Sequence, residues 1–198
     1  WGEQDVPCVE ALLNSPAPRE TPMGLYLHIP FCRKRCHFCY FRVYTDVKAS
    51  DVERYSNAVI EEARLVADQL AIQGRTLKYV YFGGGTPSFL SVKQLDRLVD
   101  GLHRSFGWDD AEEVTFECEP GTLSEQKLEV IKDFGVTRLS LGIENFDDHI
   151  LEINGRAHRS DEVFRAYEYA RGLGFDNINV DLIAGMLEET EENWVDCV

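Results

Sequence analysis

The chain has 198 residues, 44% of them hydrophobic and 28% charged, which suits one globular domain with its own core. Its net charge of −15 excludes the non-specific nucleic-acid binding that rests on Lys and Arg neutralising phosphates. No apolar run reaches the roughly eighteen residues of a membrane-spanning helix, so no span is expected.

Residues 1–23 hold Pro16, Pro18 and Pro22 among mostly polar residues and read as an N-terminal extension or linker with one short helix near 9–13. The core domain is then expected over 24–198. A strand is expected at 25–29, delivering the chain into a loop of three cysteines. Ser50 with Glu53 reads as a capping box, and Val52, Tyr55, Val59, Ala63, Val66 and Leu70 recur at helical spacing, ending before Gly74. A second strand at 78–82 runs into Gly83-Gly84-Gly85-Thr86-Pro87. Ser91 with Gln94 opens a helix that buries Val92, Leu95, Leu98, Val99 and Leu102. Strands follow at 113–119, 138–143 and 177–183. Between them lie helices opened by Thr122 with Glu125 and by Ser160. Thr190 opens a last helical pattern, which stops at Val198; with Trp1 at its start, the chain is expected to be a piece of a longer protein.

The βα rhythm repeats five times, with amphipathic helices and apolar strands, which argues a parallel sheet covered by helices. A doubly wound sheet and a (βα) barrel both satisfy it. Polar or glycine-rich motifs at the C-terminal ends of all five strands favour the barrel, whose sites are assembled there.

Cys32, Cys36 and Cys39 form a C-x3-C-x2-C loop. Soft thiolates on one short loop select an iron–sulfur cluster, zinc or copper(I). Three is the informative count. A closed zinc site wants four protein ligands and would need His37 or a distant cysteine. A four-iron cluster held by three cysteines leaves one iron open to an exogenous ligand. The remaining cysteines, Cys8, Cys118 and Cys197, are scattered, and no signal peptide is visible, which fits a reducing cytosol rather than a disulfide framework. The basic residues Arg33, Lys34 and Arg35 within the loop read either as a solvated face or as a hold for an anion or a reductase. The glycines of 83–87 permit either a tight βα turn or close backbone approach to a ligand.

Taken in order, six motifs resemble the radical S-adenosylmethionine (SAM) enzymes, specifically the oxygen-independent coproporphyrinogen III oxidase-like branch. They are Tyr26-Leu27-His28-Ile29-Pro30-Phe31-Cys32 with its cysteine loop, residues 83–87, Glu117-Cys118-Glu119-Pro120-Gly121, residues 138–146, Gly155-Arg156-Ala157-His158, and Asp181-Leu182-Ile183-Ala184-Gly185. The resemblance implies a partial (βα)6 barrel, cut after its fifth strand. It also implies a [4Fe-4S] cluster on Cys32, Cys36 and Cys39, with SAM on the fourth iron. By the same resemblance Gly84, Gly85 and Thr86 would meet the amino group of SAM and Phe38 its adenine. Tyr26, Glu117, Glu144, Arg156 and Asp181 would hold its other parts. Without the motif order, Arg156 reads as a surface ion pair and Asp181 as a helix cap.

The activity so implied is reductive cleavage of SAM to a 5′-deoxyadenosyl radical for hydrogen abstraction from a small molecule, a tetrapyrrole among the candidates. A flavodoxin- or ferredoxin-like electron donor and a cytoplasmic location go with it. Three departures bear on the substrate. Glu144 stands where the branch has Gln, Glu119 where it has Asn, and Tyr40-Phe41 where authentic oxidases carry a further cysteine. The branch also holds haem chaperones, haem-degrading enzymes, methylases and cyclopropanases, and a haem carrier that keeps the cluster is the alternative reading.

Overall fold

A computed structural model describes residues 2–198. Five strands, β1 (Met23–Ile29), β2 (Leu77–Gly84), β3 (Glu113–Cys118), β4 (Arg138–Glu144) and β5 (Asn177–Leu182), form one parallel sheet in chain order. Strand order never reverses, so there is no switch point of the kind a doubly wound sheet uses for its site. The doubly wound alternative therefore falls, and the α/β arrangement expected of a partial barrel stands.

Alternate residues of each strand point to opposite faces. Leu27, Ile29, Val80, Phe82, Val114, Phe116, Leu139 and Leu141 are buried in the core. They meet Leu95, Leu98 and Leu102 of α3 (Val92–His103), Leu128 and Ile131 of α4 (Glu125–Asp133), and Val163 and Ala170 of α6 (Ser160–Gly172). Phe82 anchors the centre, its ring 5.2 Å from Phe116 and edge-on to Trp108 at 6.0 Å. Each such side chain contributes on the order of 1.5–3 kcal/mol by leaving water. The other face of the sheet carries Tyr26, His28, Tyr81, Glu117, Ser140 and Asp181, and it is this polar face that runs into the site.

The helix starts test the sequence reading closely. Ser91 caps α3 as expected, its Oγ accepting from Gln94 N while Gln94 Oε1 accepts from Ser91 N at 2.9 Å. Thr190 likewise caps α7 (Glu191–Cys197). Two expected caps are displaced. Helix α2 (Ala49–Ala67) begins before Ser50: Lys48 is its cap residue, and Asp51 Oδ2 accepts from Lys48 N at 3.2 Å. Val47 and Val52 pack on the core on either side of this start, the placement of a hydrophobic staple, and that fixes the earlier entry. Thr122 does not cap α4, because its hydroxyl is committed to Glu119 O at 2.8 Å; Ser124 takes the role. Ser160 opens α6 as expected, with Arg159 as the residue that precedes it.

A short helix, α5 (Asp148–Ile153), was not expected, and Asp147 caps it with hydrogen bonds from His149 N and Ile150 N. At the N-terminus α1 (Val6–Leu13) covers the helix expected near 9–13 and buries none of its residues. No helix among the described residues is long and apolar enough to cross a membrane.

Candidate cluster and cofactor site

Residues 30–48 form no regular strand or helix, so their shape depends on individual contacts. The loop closes on itself through the Phe31–Tyr44 bridge, where Cys32 N donates to Tyr44 O at 3.1 Å and Tyr44 N to Pro30 O at 2.8 Å. Buried Phe31 packs edge-on against Tyr55, ring centroids 5.3 Å apart. The far side of the loop is held by His37, whose N donates to Asn154 O at 3.0 Å and whose Nδ1 lies 2.9 Å from Ile153 O. Arg33 makes the third attachment: Nε and Nη2 grip both oxygens of Glu119 at 3.0 and 2.7 Å, and Nη2 also reaches Ala157 O. A planar fork on a carboxylate fixes direction as well as distance.

This leaves Cys32, Cys36 and Cys39 free and half-buried around a cavity of about 190 Å³. Phe38, Gly84, Gly85, Thr86, Glu144 and Arg156 are among the other residues that line it. Burial pushes the Cys32 thiol up, against a hydroxyl hydrogen bond from Thr86 at 3.3 Å. Arg156 Nη1 lies 3.2 Å from Cys36 Sγ. Among the described residues no group of three or more His, Cys, Asp and Glu converges closely enough for a single metal ion. The glycine turn is shaped by this neighbourhood. A Cβ on Gly85 would sit 2.9 Å from Cys32 Sγ and 3.0 Å from Phe31 O, and Gly84 has φ +114°, where L residues are strained.

A second cavity of about 200 Å³ adjoins the first. Gly85, Thr86, Glu119, Glu144 and Arg156 line both, and Glu117, Ser140, Gly142 and Asp181 line the second alone. Its acids sit on strand ends and are held by neighbours. Glu117 accepts from Tyr81 OH at 2.7 Å and from Gly84 N at 3.2 Å; burial nevertheless holds its carboxyl above the usual range. Asp181 accepts from Ser140 Oγ at 2.9 Å and Asn179 Nδ2 at 2.8 Å, so it is a strand residue rather than a helix cap. Glu144 closes β4 at φ +71°, a left-handed backbone that is costly for a residue with a Cβ, beside a register shift in the β4–β5 pairing. Its carboxylate is buried 3.6 Å from Arg156, and burial raises its pKa.

Of the expected cofactor residues, the structure thus brings Phe38, Gly84, Gly85, Thr86, Glu117, Glu144, Arg156 and Asp181 to these two cavities. Arg156 is no surface ion pair, for its side chain is only 11% exposed. Tyr26 stands apart: it is 57% exposed, stacks on Tyr81 with centroids 5.9 Å apart, and lies 3.1 Å from His28 Nδ1 through its hydroxyl.

Two features escaped the sequence reading. Arg33 and Glu119 are 86 residues apart in the chain, and no local pattern pairs them. Lys127 is buried on α4, its Nζ donating to Ser88 O at 2.6 Å and Thr122 O at 2.9 Å. It thereby ties the turn after β2 to the turn after β3. Burial lowers its pKa. Its place one residue before Leu128 on the buried side of an amphipathic helix was the available signal.

Comparison with known proteins agrees with this geometry. The chain is 40% identical over 167 residues to the heme chaperone HemW of Bacillus subtilis, covering 83% of this chain and 43% of the relative. It is 30% identical over 191 residues to the oxygen-independent coproporphyrinogen III oxidase of Salmonella typhimurium, covering 96% of this chain and 41% of the relative. The crystallised coproporphyrinogen III oxidase HemN of Escherichia coli, a radical SAM enzyme, superposes with a TM-score of 0.86 at 29% identity. That match covers all of this chain and 44% of the other. The chain therefore spans less than half the length of these relatives. The sequence pattern of the radical SAM superfamily matches residues 26–198, and the chain belongs to that superfamily, among its HemN- and HemW-like members.

Proposed function

We propose that this chain holds a [4Fe-4S] cluster on Cys32, Cys36 and Cys39 and SAM in the adjoining cavity, as the core of a radical SAM enzyme. The observation that carries the reading is the pair of cavities sharing one wall, with thiols on one side and strand-end acids and hydroxyls on the other. The donor set fits the cluster. Three thiols from one short loop share a cavity, the soft donor set that an iron–sulfur cluster takes. The neighbouring cavity fits a cationic, hydroxyl-bearing ligand that also carries a carboxylate. Glu117, Glu144 and Asp181 offer acceptors, and the buried Arg156 Nε lacks a partner.

Bound together, cluster and SAM supply a one-electron reductive cleavage that gives a 5′-deoxyadenosyl radical for hydrogen abstraction. The chain's part is to bind and orient. Arg33, through Glu119, and His37, through Asn154, hold the cysteine loop in place. Asp181, already bonded by Ser140 and Asn179, is set to accept from ribose hydroxyls. Arg156 is set to pair a carboxylate. Phe38 flanks the cavity from between two of the cysteines.

A second reading, a heme-carrying protein that retains the cluster, is favoured by one feature. The HemW match at 40% identity exceeds the oxidase match at 30%, and Tyr40-Phe41 lacks the further cysteine of authentic oxidases. One experiment separates the two. The complete protein is reconstituted anaerobically with iron and sulfide, reduced, and assayed for methionine and 5′-deoxyadenosine. The enzyme reading expects about four irons and four sulfides per chain, as three-cysteine ligation of a four-iron cluster requires. Cys32→Ala, Cys36→Ala and Cys39→Ala each abolish the visible absorbance, and Cys118→Ala does not. Tight haem binding with an intact cluster, bound SAM and no 5′-deoxyadenosine would replace it with the carrier reading.

A further inference from the structure

The charge of this protein is unevenly spread. Residues 32–44 carry four of its 20 Lys and Arg and none of its 35 Asp and Glu, on a chain of net charge −15. Arg33 is turned inward to Glu119. Lys34, Arg35 and Arg42 are exposed, and none of them makes a salt bridge among the described residues. Arg42 lies over the ring of Tyr44 at 5.5 Å, and Arg35 reaches only Cys39 O, at 3.1 Å. Between these cations stands an aromatic pair. Tyr40 and Phe41 stack with centroids 4.5 Å apart, and they are 83% and 47% exposed. Neither ring is needed for the core. Lys34 and Phe41 both reach the cavity that the three cysteines share.

We propose that this cationic and aromatic collar is the docking surface for an acidic one-electron carrier protein. The proposal rests on the cluster reading above and names how its electron is delivered. Charge complementarity picks the occupant. An acidic carrier is repelled by most of this strongly acidic molecule and attracted only at the collar, so the field orients the encounter as well as speeding it. Tyr and Arg are among the side chains that most often anchor protein interfaces. The geometry supplies the rest, because the collar is built from the same loop as the three cysteines, so a docked carrier sits beside the cluster. One electron leaves the carrier, which is oxidised by that one electron, and enters the cluster, which is reduced by it; no proton or group moves. A small polycarboxylate such as a porphyrin would be drawn by the same cations and rings, and selective loss of its binding is therefore one outcome of the test.

The test uses the complete protein and an acidic flavodoxin as probe. Two variants are compared with the parent: Lys34→Glu with Arg42→Glu, and Tyr40→Ser. Flavodoxin binding is measured by titration calorimetry on the metal-free protein. Reduction of the reconstituted protein is followed by stopped-flow absorbance, with photoreduced deazariboflavin as a small neutral reductant for control. Charge reversal should weaken binding and slow flavodoxin reduction about ten- to a hundredfold at low salt. The gap should close as ionic strength rises toward 0.5 M, where charges about 5 Å apart are already screened. Tyr40→Ser should weaken binding at all salt concentrations. Reduction by deazariboflavin should be unchanged in Tyr40→Ser, whose side chain does not line the cavity of the three cysteines.

Unchanged flavodoxin binding and reduction in both variants would overturn the proposal. So would loss of cluster loading in the charge-reversed variant, which would make these cations part of the loop's folding, or selective loss of porphyrin binding. Because the calorimetry needs no cluster, a failure of the cluster reading shows in the parent protein's iron content and is distinguishable from a failure of docking.

Discussion

Glu119 and Glu144 are the two carboxylates that stand where the resemblance has amides, and they line the same two cavities. They have opposite fates. At Glu119, burial favours the neutral acid, but hydrogen bonds from His158 and Arg33 and the charges of Arg33 and Arg156 outweigh it, and the carboxyl sits below the usual range. At Glu144, burial dominates and the carboxyl sits above it. The difference lies in the partners. Glu119 has a bidentate arginine at 2.7 and 3.0 Å. Glu144 has Arg156 at 3.6 Å, and that guanidinium already donates to Gly142 O at 2.6 Å and lies 3.2 Å from Cys36 Sγ. One amide-to-acid change was absorbed by a new ion pair; the other left charge to spare in the site. An excess carboxylate is useful where a cation is to come, as the sulfonium would in the function proposed above.

The largest effect that can break this comparison is removal of the partner at Glu119. Arg33→Met leaves a carboxylate with a 9% exposed side chain, with His158 3.5 Å away and the more distant charge of Arg156 for company. Breaking a fully buried pair costs about 3–5 kcal/mol, and with Arg33 itself 36% exposed we expect about 1–3 kcal/mol. For a domain of this size that is a fall in Tm of about 2–12 °C. Adding Glu119→Gln should recover part of it, since the stranded charge is then gone. The sign of the pH dependence follows from the lowered carboxyl. Stability contributed by Glu119 is present above the ordinary carboxylate range and is lost as pH falls through its lower folded value. A Tm unmoved by Arg33→Met would mean that Glu119 is no better compensated than Glu144.

Next in size is Arg156→Gln, which removes the one cation facing Glu144. SAM affinity should fall about ten- to a hundredfold, the roughly 1.5–3 kcal/mol of a charged hydrogen bond, with the cluster retained. Equilibrium dialysis with labelled SAM reads it. Unchanged affinity would show that the carboxylate of SAM is held elsewhere and that Arg156 serves mainly to brace Glu144.

How far the sequence revealed all this depends on the range of each interaction. The cysteine loop and the glycine turn were legible because their chemistry is written in consecutive residues. The five strands and most helices were legible because burial imposes periods of two and 3.6. The displaced caps at Ser50 and Thr122 show where local pattern loses to context: Val47 pins one helix earlier, and Glu119 O claims the hydroxyl of the other. Helix α5 is too short to show a period. The Arg33–Glu119 clasp and the Lys127 latch join residues 86 and 39 positions apart, and only the folded sheet brings them together. The left-handed backbone of Glu144 was hidden for a different reason, because nothing about Glu asks for positive φ.

The smallest effect is also the most discriminating. Glu144→Gln keeps the size and branching of the side chain, and so the backbone cost at φ +71°, while deleting the charge. Because the folded carboxyl is raised, the parent protein loses stability as pH rises through that value, and the amide does not. The metal-free variant should therefore be the more stable at pH 7, read as a higher Tm. That gain should shrink to nothing below the ordinary carboxylate range, where both side chains are neutral. Glu144→Gly should gain further at every pH, because it also relieves the left-handed backbone. SAM affinity of the cluster-loaded protein is the counterweight. If Glu144 is held charged for a cationic cofactor, the same Gln that stabilises the empty site should bind SAM several-fold more weakly, a stability cost kept for function. Equal SAM affinity in the two proteins, alongside the gain in Tm, would leave the carboxylate facing something other than SAM.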